Sequence, residues 1–84
     1  VRAYYKRKGL DTHYVCMLNE DREKSADGVT VSLRLPEGVY RVDVRSLDDV
    51  RWLGEFDAAR LAEGVSVPDV PPYRMRTLRA ERVR

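Results

Sequence analysis

The 84 residues carry sixteen lysines and arginines against fourteen aspartates and glutamates, a formal charge of +2 that excludes the strongly basic make-up of a general nucleic-acid or anionic-membrane binder. An apolar fraction of 43%, five tyrosines and one tryptophan suit a folded chain and not a disordered one, and the length allows a single small core, so residues 1–84 are read as one domain. Cys16 stands alone, which excludes an intrachain disulfide, and the longest uncharged, mainly apolar run, residues 14–19, is far short of the about 20 residues that cross a bilayer.

Charge is unevenly placed. Arg2, Lys6, Arg7 and Lys8 open the chain with no acid among them, five arginines against Glu81 close it over residues 74–84, and residues 37–63 hold seven acids against four arginines. The ends are basic and the middle is acidic. The chain begins at Val1 and shows no signal peptide, so it is expected to be a fragment or processed product of a longer protein, soluble and cytoplasmic.

In the opening segment Ala3 and Tyr5 alternate with Arg2, Tyr4 and Lys6, which predicts a strand ended by a turn at Gly9-Leu10-Asp11. Residues 14–19 are apolar on both faces, with Tyr14, Cys16 and Leu18 on one and Val15 and Met17 on the other, as in the middle of a sheet. The ten residues NEDREKSADG offer almost nothing to bury and predict an exposed loop ending in an Asp27-Gly28 turn. Val29, Val31, Leu33 and Leu35 then alternate with Thr30, Ser32 and Arg34, and Tyr40, Val42 and Val44 alternate with Arg41, Asp43 and Arg45. With Pro36-Glu37-Gly38 between them, the two runs predict a hairpin.

Beyond Ser46 the pattern weakens. Leu47-Asp48-Asp49 reads as a turn, and residues 50–56 read as a short strand interrupted by Gly54, in which Trp52 and Leu53 together blur the alternation so that either Val50, Trp52 and Phe56 or Leu53 alone faces inward; Trp52 is expected in the core because a small fold needs its large side chains. Residues 56–63 have some helical propensity but too little length to stand alone, so an irregular or extended connection is expected. Pro68, Pro71 and Pro72 mark a loop or edge approach. Met75 and Leu78 are three apart, so a bulge near Thr77 is expected to bring Leu78 and Ala80 back to the core. The sum is an all-β chain, a small antiparallel β-sandwich of about six or seven strands.

Reactive groups do not cluster. His13 and Cys16, three apart on a strand, point to opposite faces, which disfavours a nucleophile pair and leaves Cys16 as a buried, inert hydrophobe. Ser25, Ser32, Ser46 and Ser66 have no local activator, and one cysteine with one histidine cannot complete a zinc site. Glu20, Asp21, Glu23 and Asp27 lack the spacing of a calcium loop; Asp48, Asp49, Glu55 and Asp57 are ordinary turn acids; the five glycines are isolated and build no phosphate loop. No catalytic residue, metal or cofactor is expected. If the first and last strands were neighbours, Arg2, Lys6, Arg74, Arg76, Arg79 and Arg82 would form a basic patch interleaved with Tyr4 and Tyr73, a surface for single-stranded nucleic acid or another polyanion. Tyr4, Trp52 and Tyr73, if exposed, are also candidate sugar platforms.

The run from Thr12 to Val44, with Met17-Leu18-Asn19 leading into a loop, alternating residues 29–35, Gly38-Val39-Tyr40-Arg41-Val42, and the late Pro71-Pro72-Tyr73 before the last strand, resembles the small β-sandwich domain that closes many bacterial glycoside hydrolases after a catalytic barrel. The resemblance covers most of the chain. It implies a non-catalytic, C-terminal accessory domain whose partner is the catalytic domain of the same or an associated chain, with carbohydrate nearby. Tyr4, Trp52, Tyr73, Arg74 and Arg76 are the expected contacts to that domain or its ligand. Nucleic acid and membrane are not expected partners, and a freestanding polyanion-binding module or a protein-interaction domain are the competing readings.

Overall fold

In a computed structural model of the chain, the described residues are 2–21, 23–24, 28–46, 49–67, 70 and 74–84. They form β1 (Arg2–Lys8), β2 (Thr12–Leu18), β3 (Thr30–Val31), β4 (Val39–Arg45), β5 (Val50–Asp57), α1 (Ala58–Glu63), β6 (Val65–Ser66) and β7 (Met75–Arg82) in chain order. Five strands make an antiparallel sheet in the order β1-β2-β7-β4-β5, and β3 pairs with β6 in a two-stranded sheet. The described architecture is therefore an antiparallel all-β sandwich of unequal layers, with seven strands and one short helix.

Alternation sorts the side chains as the sequence predicts. His13, Val15 and Met17 of β2, Tyr40, Val42 and Val44 of β4, and Leu78 and Ala80 of β7 share the buried face of the large sheet. Val31, Leu33, Leu61, Val65, Val67 and Val70 close over them from the second layer. The turn at residues 9–11 is present, with Gly9 at φ +67° and Lys8 opposite Thr12. β2 lies between β1 and β7, the central place its two apolar faces call for.

The predicted hairpin does not form. Residues 29–35 keep their alternation, with Val31 and Leu33 buried and Thr30, Ser32 and Arg34 exposed, but they do not pair with β4. A strand has two hydrogen-bonding edges, and those of β4 are taken by β7 and β5. The segment crosses to the second layer, where β3 pairs with β6, Leu33 N–H donates to Leu61 O at 2.9 Å and Val67 N–H donates to Val29 O at 3.0 Å. Gly38 serves a different purpose from a hairpin turn. Its φ is +154°, and a Cβ there would lie 2.8 Å from the carbonyl oxygen of Arg84, so glycine permits the closing end of the chain to pass against the start of β4.

Residues 58–63 are helical, against the expected irregular connection. The Asp57 carboxylate accepts from Arg60 N–H at 2.8 Å, Gly64 N–H donates to Arg60 O at 3.2 Å, and Leu61 is buried in the core. Two caps and one anchoring leucine compensate for a length too short for propensity alone. The expected bulge near Thr77 is absent: β7 runs in unbroken register against β2 and β4, and Met75 simply faces outward, 54% exposed. The register shift is in β5 instead, between the partners of Val42 and Asp43. It leaves Leu53 as the extra residue, packed against the core, and turns Trp52 outward. Trp52 is 58% exposed, which corrects its expected core placement.

Three smaller readings also shift. Asn19, assigned to the exposed loop, is buried; its amide donates to Lys24 O at 2.8 Å and to Val70 O at 3.0 Å, tying the loop to the approach to β7. Cys16 is half-buried on the outer face, where it accepts from the Thr77 hydroxyl at 3.7 Å, and is not a core residue. The turn readings at Asp27 and Leu47-Asp48, and the proline segment at 68, 71 and 72, fall outside the described residues.

Candidate functional site

Of the five residues singled out from the sequence, the four that lie among the described residues do not converge. Tyr4 stands half-exposed on the outer face of β1, and Trp52 on the outer face of β5, the opposite edge of the sheet. Four inter-strand steps separate them, about 19 Å at the usual spacing, which rules out a shared sugar platform. Arg41 lies over the Trp52 ring at 5.9 Å from its centroid, so one face of that ring already has a cation on it. Arg74 is exposed, Arg76 sits opposite Met17 on the inner side of β7, and Tyr73 lies outside the described residues.

The basic patch imagined for adjacent first and last strands does not assemble either, because β2 separates β1 from β7. Arg79 faces outward with Arg2 and Lys6, whereas Arg76 and Arg82 take the inner side. Arg79 is committed to Glu81 at 2.6 Å and to Asp43 at 3.8 Å, and Arg2 to Glu20 at 3.1 Å. The pairing of terminal arginines with the acidic middle, read from the charge distribution, is found in Arg79–Asp43 and in Arg84–Glu55 at 3.0 Å.

Of the acids considered for metal or glycosidic chemistry, Glu20, Asp21, Glu55 and Asp57 have structural partners. Asp21 accepts from the N–H groups of Glu23 and Lys24, which hold its carboxyl below the usual range, and Asp57 caps α1. Among the described residues no group of three or more His, Cys, Asp or Glu side chains is placed to hold a metal, and no helix is long and apolar enough to cross a membrane. His13 and Cys16 point to opposite faces, as their spacing requires.

Two concave features flank β1, and the sequence reading named neither. Every described residue of β1 is exposed, and the strand is hydrogen-bonded only to β2. Its inner side overhangs an apolar groove of about 420 Å³ in which Ala3 and Tyr5 face Val15, Met17, Val31 and Leu33. At the other end of the strand a second cavity, about 430 Å³, is lined by Tyr5, Arg7, Asp11, His13, Arg34 and Arg82. His13 forms its wall. The Tyr5 hydroxyl and His13 Nδ1 share a 2.6 Å hydrogen bond, donated by whichever carries the proton, and the rings stack at 5.9 Å. His13 Nε2 is buried with no hydrogen-bond partner. The Tyr5–His13 pair was within reach of sequence reasoning: a three-residue turn at 9–11 fixes the register that makes these two diagonal neighbours. Arg34 and Arg82 arrive by tertiary contact alone.

Burial, followed by the nearby Arg7 charge, pushes the His13 imidazole below its ordinary range. The unfolded chain therefore binds this proton more readily than the folded one. Stability from His13 is full above about pH 6.5, the unfolded value, and is lost as pH falls from there through the folded value. Urea midpoints at pH 8, 7, 6 and 5 should decline on the acid side, and His13→Asn should flatten that decline. The chain has one histidine, so an unchanged slope in the variant would remove His13 as its source.

Compared with family models, with curated proteins and with solved structures, the chain matches none.

Proposed function

We propose that this chain is a non-catalytic accessory domain that packs against and stabilises a carbohydrate-active catalytic domain. The observation that carries the docking role is β1, a strand exposed on both faces whose inner side overhangs the groove of Val15, Met17, Val31 and Leu33. A small sandwich normally covers such a face, and an apolar surface left open on a soluble domain marks an interaction site. The class of partner rests on the resemblance of Met17-Leu18-Asn19, residues 29–35 and Gly38-Val39-Tyr40-Arg41-Val42 to the closing domains of glycoside hydrolases. The dispersal of His13, Cys16, Asp21 and Asp57 over separate parts of the fold supports a role without catalysis.

The test is the parent chain, unfolded thermally with and without Ala3→Glu, which puts a charge over the groove at an exposed position. Docking predicts one shared transition in the parent, split into two by the substitution, with the midpoint of residues 1–84 alone unchanged. A parent whose transitions are already independent would sink the proposal. Lys6 and Lys8, on the same face of β1 as Tyr4 and without a carboxylate partner among the described residues, favour polyanion binding as the competitor. That reading predicts single-stranded DNA binding that falls steeply with salt, and no binding at low salt would eliminate it.

A further inference from the structure

We propose that the cavity between the β1–β2 turn and residues 34–36 is an anion site that takes a tetrahedral dianionic group, phosphate or sulfate, carried on a small molecule. Three arginines line it from distant parts of the chain: Arg7 from β1, Arg34 from the segment that crosses to the second layer, and Arg82 from the end of β7. Asp11 is the single carboxylate there, so with neutral His13 the lining carries a formal +2. Among the described residues, Arg2, Arg45, Arg79 and Arg84 each pair with a carboxylate, and none of Arg7, Arg34 or Arg82 does. Arg82 Nε donates only to the Arg84 carbonyl, at 3.3 Å.

Converging unpaired cations repel one another, and a doubly charged oxyanion is the partner that removes the repulsion. Guanidinium forks match the geometry of phosphate and sulfate oxygens and bind them with paired, charge-assisted hydrogen bonds. The cavity, at about 430 Å³, falls in the size range of small-molecule sites, and Leu35 and Pro36 supply an apolar side for the rest of the ligand. One wall is rigid: His13 is 3% exposed and held by the Tyr5 hydroxyl, with Tyr40 edge-on at 6.0 Å. Three merely solvated surface arginines would bind any anion weakly, in proportion to its charge, and at no particular place.

The experiment titrates the 84-residue chain with inorganic phosphate, inorganic sulfate and acetate at matched ionic strength, followed by backbone amide shifts. Phosphate or sulfate should saturate, with shifts concentrated at residues 7, 13, 34 and 82, and the tighter of the two identifies the group. Arg34→Ala, at an exposed position, should weaken that binding at least tenfold, while Arg51→Ala, on the far edge strand, should leave it within twofold. Equal losses in the two variants, acetate as tight as the dianions, or unsaturated shifts spread over the surface would each overturn the proposal. If Arg34→Ala failed to fold, the location of the shifts in the unaltered chain would decide.

Discussion

Replacing Tyr40 by alanine is expected to destabilise the fold by about 3–5 kcal/mol, the usual loss for deleting a large buried aromatic side chain. An 84-residue domain has about 4–13 kcal/mol of stability in all, so this one substitution removes from about a quarter to all of it. Tyr40 is fully buried, belongs to the interior strand β4, and stands at the junction of the two layers. Its hydroxyl donates to Pro36 O at 2.7 Å, which holds residues 34–36 against the start of β4 after the chain has left the second layer. Burial also pushes the phenol above its ordinary range, so the hydroxyl stays protonated and available as a donor. Tyr40→Phe keeps the ring and removes only the bond; because Pro36 is exposed and its carbonyl can turn to water, about 0.5–1 kcal/mol is expected. Urea midpoints for the two variants check the contrast, and a Tyr40→Ala loss no larger than that of Tyr40→Phe would contradict the packing assigned to this residue.

Asp43→Ala should cost about 2–3 kcal/mol. Asp43 is 1% exposed although it lies on the outer face of the sheet, opposite Arg79 on β7 and Trp52 on β5. It accepts from Arg45 Nε at 2.9 Å and lies 3.8 Å from Arg79 Nη1. Removing one member of a fully buried pair costs about 3–5 kcal/mol because the other charge is left stranded. Here the loss is smaller, since Arg45 is half-exposed and Arg79 keeps Glu81 at 2.6 Å. If the charge network is the cause, the double variant Asp43→Ala/Arg79→Ala will lose less than the sum of the single losses. Strict additivity, or an Asp43→Ala loss below about 0.5 kcal/mol, would show that the carboxylate is a bystander.

Val29, Val31, Leu33 and Leu35 were legible as one face of an extended segment, because side chains alternate with period two whatever partner the segment has. Its partner was not legible. Residues adjacent in the chain pair only if an edge is free, and β4 had been claimed on one side by β7, a strand some thirty residues further on. Trp52 shows the same limit at the scale of one residue. The overlap of Trp52 and Leu53 was visible as a broken alternation, but which of the two turns inward depends on where the bulge falls against Val42 and Asp43.

The candidate sites divide along the same line. Tyr5 and His13 belong to a hairpin whose turn is written in Gly9-Leu10-Asp11, so their contact followed from local register. Arg7, Arg34 and Arg82 are brought to one cavity only after β7 has passed between β2 and β4 and residues 29–35 have crossed to the opposite layer. Tyr4, Trp52, Arg74 and Arg76, chosen for their chemistry, are dispersed by the same topology.

Which side chains of residues 13–17, 29–35 and 40–44 share a face, where the first turn falls, and the absence of a disulfide or a bilayer-spanning run were determined by the order of residues alone, since each depends on near neighbours or on composition. Strand order, the layer to which residues 29–35 belong, the capped helix at 58–63 and the meeting of three arginines were decided only in three dimensions. The reason is that a backbone edge or a charge acquires its partner from whatever the rest of the chain has left unoccupied, and that is a property of the whole fold.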